Sequence, residues 1–140
     1  MEKKGLANHV IICGCGIVGE RIIDVLKENS IDFIVVEVNE AKVRTLRERG
    51  YKVIIGDATL SSVLKDASVA TAKAIAVVMD NDAKNLFSVL TARDLNKTVF
   101  IATRANDEFL REKLIEAGAD YVIMPQKSAS KEIMKELGIK

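Results

Sequence analysis

Six short blocks of apolar residues recur along the chain at nearly even spacing. Each block is rich in Val and Ile and nearly continuous, which is typical of parallel strands covered on both faces. The blocks occupy residues 10–13, 33–36, 53–55, 74–79, 99–102 and 121–124. About 14–20 residues separate neighbouring blocks, which is enough for a crossover helix. The pattern predicts an α/β domain with right-handed connections between its strands.

Polar residues that can cap helices follow several of these blocks. The candidates are Asn39 for the second helix, Thr59 or Ser61 for the third, Asn81 or Asp82 for the fourth and Asn106 for the fifth. Two helices also carry apolar positions at helical spacing. They are Ile17, Val18, Ile22, Val25 and Leu26 on the first helix, and Phe87, Leu90 and Leu95 on the fourth. The second set has no assured partner within the domain.

A final helix is predicted over residues 126–140, with Ile133, Met134 and Leu137 on one face. No strand follows it. We expect residues 1–140 to form a single domain whose last helix leads to a hinge or a partner. The alternative is a helix that packs on its own sheet and exposes a basic face.

The segment 14–19 reads Gly-Cys-Gly-Ile-Val-Gly, directly between the first strand and the first helix. In that position a G-x-G-x-x-G pattern predicts a phosphate-binding turn. Gly14 permits the tight turn, Gly16 lets a pyrophosphate approach the backbone and Gly19 lets helix and strand pack closely. The fold expected is a Rossmann-like, doubly wound six-stranded parallel sheet of order 3-2-1-4-5-6, with helices on both faces. A glycine-rich turn without a ligand is the alternative. The motif's remaining site candidates are Cys15, Ile17 and Val18.

An acidic residue, Glu37, ends the second block. It lies close to the expected position, about 20 residues after the glycines, of the acid that binds the ribose hydroxyls. A carboxylate there repels a 2′-phosphate, so NAD or a plain adenine nucleotide is favoured over NADP. The alternative for Glu37 is a solvated acid at the end of a strand. The next residue, Val38, is also included in the predicted site. Asn39 could support the ribose, although we favour its role as a cap.

Further candidates follow the third, fourth and fifth strands, whose carboxyl ends face the cleft where the strand order reverses. Asp57 either caps a helix or meets the base of a ligand. Arg104 either approaches a phosphate or pairs with Asp107 or Glu108. The other candidates are Ala58, Met79, Asp80 and Asn81.

Other residues argue against catalysis and against a metal site. His9, the only histidine, precedes the first strand and is expected at the surface or an edge. Cys13 and Cys15 are too close along a strand for an unstrained disulfide, so two semi-buried free thiols of a reduced intracellular protein are expected. There is no Ser-His-acid set and no Cys/His cluster, and a dehydrogenase would need a substrate domain and a proton donor. We therefore expect no enzyme and no metal.

Composition and hydropathy argue against a nucleic-acid partner and against a membrane span; a local basic patch is the alternative for nucleic acid. The formal net charge is +1 and aromatic residues make up 4%, which fits neither a basic nucleic-acid binder nor an aromatic stacking surface. No apolar run approaches the roughly 18 residues of a membrane helix, so direct insertion into a membrane is not expected.

Several of these motifs together resemble the RCK/KTN family, the TrkA-N-type domains that regulate potassium channels and transporters. They are the segment 14–19, Glu37, the Gly56-Asp57-Ala58 turn, Arg104 and the segment 117–125. The resemblance covers about residues 8–135.

The resemblance implies a cytoplasmic regulator held at the inner face of the membrane through a potassium channel or transporter pore, in the same polypeptide or another subunit. It implies NAD(H), or ATP, ADP or AMP, as ligand and a homodimer or larger ring. Asp57 and Ala58 would lie by the adenine, Glu37 on its ribose and Arg104 near the phosphates. The chain resembles the N-terminal lobe of such a regulator.

Two departures from the family pattern stand out. Ile17 replaces an arginine that many members carry after the second glycine, which removes one phosphate contact. Arg104 and Asn106 stand where calcium-gated members place acids, so no calcium is expected. The competing interpretations are a small NAD-dependent oxidoreductase and a redox-sensing transcriptional regulator; the latter lacks any visible recognition helix.

Overall fold

Six parallel strands form a single sheet in the computed structural model, which describes residues 5–139. The strands are β1 (Val10–Cys13), β2 (Phe33–Glu37), β3 (Val53–Ile55), β4 (Ala74–Val77), β5 (Phe100–Arg104) and β6 (Tyr121–Ile123). Their order across the sheet is β3-β2-β1-β4-β5-β6, so the predicted fold and strand order are confirmed. The fourth strand ends at Val77, two residues before the end of the predicted block 74–79. The fifth strand covers Phe100–Arg104, whereas the predicted block was 99–102.

Helices connect the strands and cover both faces of the sheet. They are α1 (Ile17–Glu28), α2 (Glu40–Glu48), α3 (Ser61–Asp66), α4 (Asp82–Leu95), α5 (Glu108–Glu116) and α6 (Pro125–Glu136), with a short 3-10 helix at Val69–Thr71. The central strands are in level register, because Cys13 pairs with Val36 on one side and with Val77 on the other. The loops that follow β1, β2 and β4 therefore leave the same edge of the sheet.

Two cores explain why the strands are apolar without alternation. Ile11 points into one core, with Leu64 of α3, Val89 of α4 and Leu114 of α5. Its neighbour Ile12 points into the other core, which includes residues of α1 and α2. Successive side chains of a strand face opposite sides of a sheet, so burial on both sides requires an apolar residue at every position.

Two of the predicted helix caps are confirmed. The side chain of Asn39 accepts from the backbone N–H of Lys42 at 3.0 Å, and Asn81 accepts from Lys84 at 2.9 Å. The fifth helix is capped by Asp107 and not by Asn106, which lies one residue earlier. No side chain caps α3, because the predicted cap Thr59 bonds to Asp57 and Ser61 is already helical.

The apolar stripe predicted on α1 is only partly buried: Leu26 is buried and Val18 and Ile22 pack against the core, but two of its members are exposed. Ile17 is 84% exposed and Val25 55% exposed, whereas Gly19, Ile23 and Leu26 are buried. The buried face is centred on the close contact between Gly19 and the loop after β1. On α4, Leu95 does pack against the core, whereas Phe87 and Leu90 remain exposed.

His9 is fully buried, so its predicted exposure is wrong, although it does lie before β1 and far from the cleft as predicted. Its Nε2 lies 2.8 Å from the carbonyl oxygen of Ala67, at the end of α3. The segment before β1 packs beneath the connection from α3 to β4, where Asn8 donates its backbone N–H to Thr71. His9 lies at the amino-terminal edge of the sheet, away from the cleft.

The last helix, α6, ends at Glu136 and buries none of its residues, which argues against close packing on its own sheet. Ile133 and Leu137 are well exposed on the predicted apolar face. A hydrogen-bonded ion pair of 2.6 Å between Lys127 and Glu108 ties its first turn to α5. The last residue of the predicted tail, Lys140, lies outside the described residues. Between residues 5 and 139, no helix has the length and apolar character of a membrane span.

Candidate functional site

An open cavity of about 500 Å³ lies at the carboxyl ends of the strands, where the strand order reverses between β1 and β4. Most of the residues singled out from the sequence line it. They are Gly14, Cys15, Gly16, Ile17, Val18, Glu37, Val38, Asp57, Ala58, Met79, Asp80, Asn81 and Arg104. Of the predicted set, Gly19 alone is not on the wall.

Each of the three positions in the loop is occupied by glycine for a different physical reason. Gly14 has φ +98°, and a Cβ there would lie 2.8 Å from the side chain of Met79. A Cβ on Gly19 would collide with the carbonyl oxygen of Gly14. At Gly16 a Cβ would have no neighbour within 4 Å, because this glycine faces the open cavity. Gly14 and Gly19 are therefore required by the fold, whereas Gly16 leaves room for a ligand.

The carboxylate of Glu37 accepts three backbone hydrogen bonds. Its Oε1 accepts from Cys15 at 2.8 Å, and its Oε2 accepts from Val38 at 2.8 Å and Asn39 at 2.9 Å. Only 9% of the residue is exposed. A carboxylate oxygen has about two acceptor positions, so Oε1 retains one for a hydroxyl group. Glu37 thus connects the glycine loop to the start of α2 and still offers an acceptor to the cavity.

Asp57 is held by its own turn. Its Oδ1 accepts from the backbone N–H of Thr59 at 2.9 Å and from the Thr59 hydroxyl at 2.7 Å. These bonds, the backbone one above all, hold the pKa of the Asp57 carboxyl below its ordinary value. The carbonyl oxygen of the adjacent Ala58 accepts from the Ser88 hydroxyl at 2.9 Å, which fixes this wall to α4.

Asn85, which sequence reasoning missed, holds the opposite wall. Its Oδ1 accepts from Met79 N–H at 3.0 Å, and its Nδ2 donates to the Met79 carbonyl oxygen at 2.8 Å. The side chain is fully buried. Its spacing from Val89 and Ala92 places it on the buried face of α4, and a polar residue on that stripe was the available signal.

Two lysines at the cavity were also missed. Lys42 and Lys84 lie in the first turns of α2 and α4, where a cation is not favoured by the helix dipole. Together with Arg104 they supply the cavity with three cations. None of the three forms an ion pair with a residue in the described range 5–139. The alternative pairing of Arg104 with Asp107 or Glu108 is thus not formed, and its Nε is buried without a partner.

Both cysteines are buried free thiols. Burial raises the pKa of Cys13 to about 12, and burial together with the nearby Glu20 and Glu37 carboxylates raises the pKa of Cys15. Such thiols are protonated and poorly nucleophilic near neutral pH. Within the part of the chain that the structure describes, no group of His, Cys, Asp and Glu residues could hold a metal ion.

The fold and the cavity define a doubly wound α/β domain with an open crevice at its switch point. The model of the TrkA-N domain family matches residues 10–125, so the chain belongs to this family and the RCK/KTN resemblance is confirmed. Potassium channel protein 1 of Methanocaldococcus jannaschii is 35% identical over 134 residues. The match includes 94% of this chain and 40% of that protein, so the chain spans about two fifths of its relative.

Solved structures show the same fold. The TrkA-N domain of the inner membrane protein YbaL from Escherichia coli superposes with a TM-score of 0.91 at 26% identity, covering 94% of this chain and 98% of that one. The GsuK channel bound to NAD has a TM-score of 0.79 at 28% identity, covering 87% of this chain and 22% of the channel chain. GsuK has also been solved with ADP.

Replacing Gly16 by valine tests the cavity directly. We expect Gly16→Val to abolish nucleotide binding in calorimetric titrations, because the branched side chain would occupy the approach of the phosphates. The fold should survive, since a Cβ at this position meets nothing and Gly16 has φ −90°. The control is Ala70→Val, an exposed residue at the other edge of the sheet. Undiminished binding by a folded Gly16→Val variant would refute the assigned site.

Proposed function

We propose that this domain is a regulatory module that binds NAD(H) or an adenine nucleotide and controls a potassium channel or transporter. The observation that carries the proposal is the open face of Gly16 at the start of α1, beside the carboxylate of Glu37. Free N–H groups at a helix start bind phosphate, and an acceptor at the end of β2 binds ribose. The NAD and ADP complexes of GsuK support this choice of ligand class.

The cavity suggests how such a ligand would lie. The phosphates would contact the loop 14–16, with Arg104 supplying a cation, and the ribose would donate to Oε1 of Glu37. The adenine would lie against Val38 and the Asp57–Ala58 turn. Met79, Asp80 and Asn81 would close the other side, where Asn85 holds the backbone of Met79 in place.

The same geometry supports regulation over catalysis. The carboxylates of Glu37 and Asp57 are both engaged by backbone N–H groups, and both thiols are held protonated by burial. The cavity thus lacks a paired nucleophile and base. Ligand would act by favouring one arrangement of an assembly at the inner face of the membrane, by as much as its affinity differs between arrangements.

The pore would belong to the same polypeptide or to a separate subunit. Residues 1–140 would serve as the N-terminal lobe, with α6 leading to a hinge or partner. This arrangement is supported by the potassium channel protein of Methanocaldococcus jannaschii, in which the matched region makes up 40% of the length.

Ligand selectivity tests the role of Glu37. We expect NADP(H) to bind at least tenfold more weakly than NAD(H), since repulsion of a 2′-phosphate by the carboxylate should exceed about 1.4 kcal/mol. Glu37→Ala should narrow this gap in calorimetric titrations. Because the substitution also removes the bond to Cys15, the ratio of the two affinities within each variant is the quantity to compare. Equal affinities in the unmodified protein would contradict the prediction.

Assembly is testable with the isolated domain. Phe87 and Leu90 on α4 and Ile133 and Met134 on α6 are exposed apolar residues on two helices. We expect at least a homodimer in sedimentation equilibrium at high concentration. If the isolated domain stays monomeric both with and without nucleotide, the prediction that this domain itself forms the oligomer is contradicted.

Coupling requires a measurement on the intact system. Nucleotide should change potassium flux through the reconstituted complex and be recovered unchanged. The same complex with Gly16→Val should conduct but should not respond to nucleotide. Stoichiometric conversion of the nucleotide, or a flux that nucleotide leaves unaltered, would overturn the regulatory proposal.

A further inference from the structure

The residues that precede β1 are held against the end of α3. We call residues 5–9 the entry segment and residues 67–71, where α3 passes into the 3-10 helix, the junction. Three hydrogen bonds join them. The bonds run from the hydroxyl group of Thr71 to the carbonyl oxygen of Leu6, from the backbone N–H of Asn8 to the carbonyl oxygen of Thr71 at 2.9 Å, and from Nε2 of His9 to the carbonyl oxygen of Ala67 at 2.8 Å. The entry segment thus depends on the junction for its position.

Ser68 lies in the junction and has a left-handed backbone conformation, with φ +58°. The corresponding positions after α2 and α5 are Gly50 and Gly118, because a residue with a Cβ is disfavoured in this conformation. The side chain of Ser68 contacts the entry segment, since a Cβ on Gly5 would lie 2.5 Å from the Ser68 hydroxyl oxygen. Glycine would suit the backbone better at this position, whereas serine supplies the contact.

Residues 57–71, which we call the α3 segment, connect the cavity to the junction. Asp57 and Ala58 at its start line the cavity, and its last residues form the junction. Helix α4 bonds to it near both ends. The bonds run from the hydroxyl groups of Ser88 and Thr91 to the carbonyl oxygens of Ala58 and Thr59, and from Nδ2 of Asn96 to the carbonyl oxygen of Val69, each at 2.9 Å. Because one helix fixes both ends of the α3 segment, a displacement at the cavity is not absorbed by a flexible loop.

We propose that nucleotide in the cavity and docking of the entry segment on the junction stabilise each other. The inference rests on the proposed function, in which the adenine lies against the Asp57–Ala58 turn. It adds the element through which an occupied cavity would affect the chain before β1. A ligand against this turn restricts movement of the α3 segment, and the junction then holds the entry segment more firmly. Since such coupling is reciprocal, release of the entry segment weakens nucleotide binding by the same factor.

Amide hydrogen exchange of this chain, followed residue by residue by NMR, tests the coupling in one direction. The backbone N–H of Asn8 reports docking, because it donates to Thr71 of the junction. Saturating NAD should slow its exchange about fivefold more than that of Gly50, whose N–H donates within the end of α2. Equal slowing of both amides, which stabilisation of the whole domain would produce, would contradict the proposal.

A double variant tests the coupling in the other direction. Ser68→Gly with Thr71→Val removes two contacts to the entry segment. It should bring the exchange of Asn8 towards that of an unprotected amide and weaken NAD binding about fivefold in calorimetric titrations. The matched control is Ser30→Gly with Thr45→Val, because Ser30 has φ +53° after α1 and the Thr45 hydroxyl group bonds within α2. This control should leave both quantities unchanged.

The outcomes separate the coupling from the proposed function. In the double variant, an Asn8 amide that stays protected or an unchanged NAD affinity would overturn the inference alone, as would equal losses in the control. If neither NAD nor ADP binds the unmodified chain, the proposed function fails as well.

Discussion

The carboxylate of Glu37 holds the candidate site together. Its hydrogen bond to Cys15 joins the glycine loop to the end of β2, and its bonds to Val38 and Asn39 shape the turn into α2. Three donors on a carboxylate that is largely removed from water form a charge-assisted network, in which the loss of one partner leaves others unsatisfied. The loop that would meet the phosphates is therefore already positioned in the free protein. A ligand would not have to supply the free energy of ordering it.

The sheet determines why these groups meet. Level pairing of Cys13 with Val36 and Val77 brings the ends of three neighbouring strands to one edge. Because the chain proceeds in opposite directions across the sheet from β1, the helices that follow β1 and β4 diverge and leave a crevice between them. The apolar runs in the strands are required because the sheet is buried on both faces. These runs identify the parallel sheet from the sequence, and the strand order of that sheet determines where the cavity lies.

Much of this arrangement could be predicted from the sequence because its determinants are local. The apolar runs, the glycine spacing and the caps Asn39 and Asn81 each act within a few residues. His9 could not be placed, because its burial depends on Ala67, which is distant in the chain. Asn106 and Asp107 are adjacent and chemically similar, so the cap depended on where α5 begins. Asn85 could not be assigned to Met79 before the path of the loop after β4 was known.

The proposed regulatory role would require an element that contacts both the cavity and an exposed surface, and α4 meets this requirement. Asn85 holds Met79 on one wall of the cavity, and Ser88 bonds to the carbonyl oxygen of Ala58 on the other. Thr91 bonds to the carbonyl oxygen of Thr59, the residue after Ala58. The outward face of the same helix exposes Phe87 and Leu90. A ligand that changes the separation of the two walls must therefore strain these bonds or move α4. Movement of a packed helix against a neighbouring subunit is a displacement that can favour one arrangement of an assembly over another.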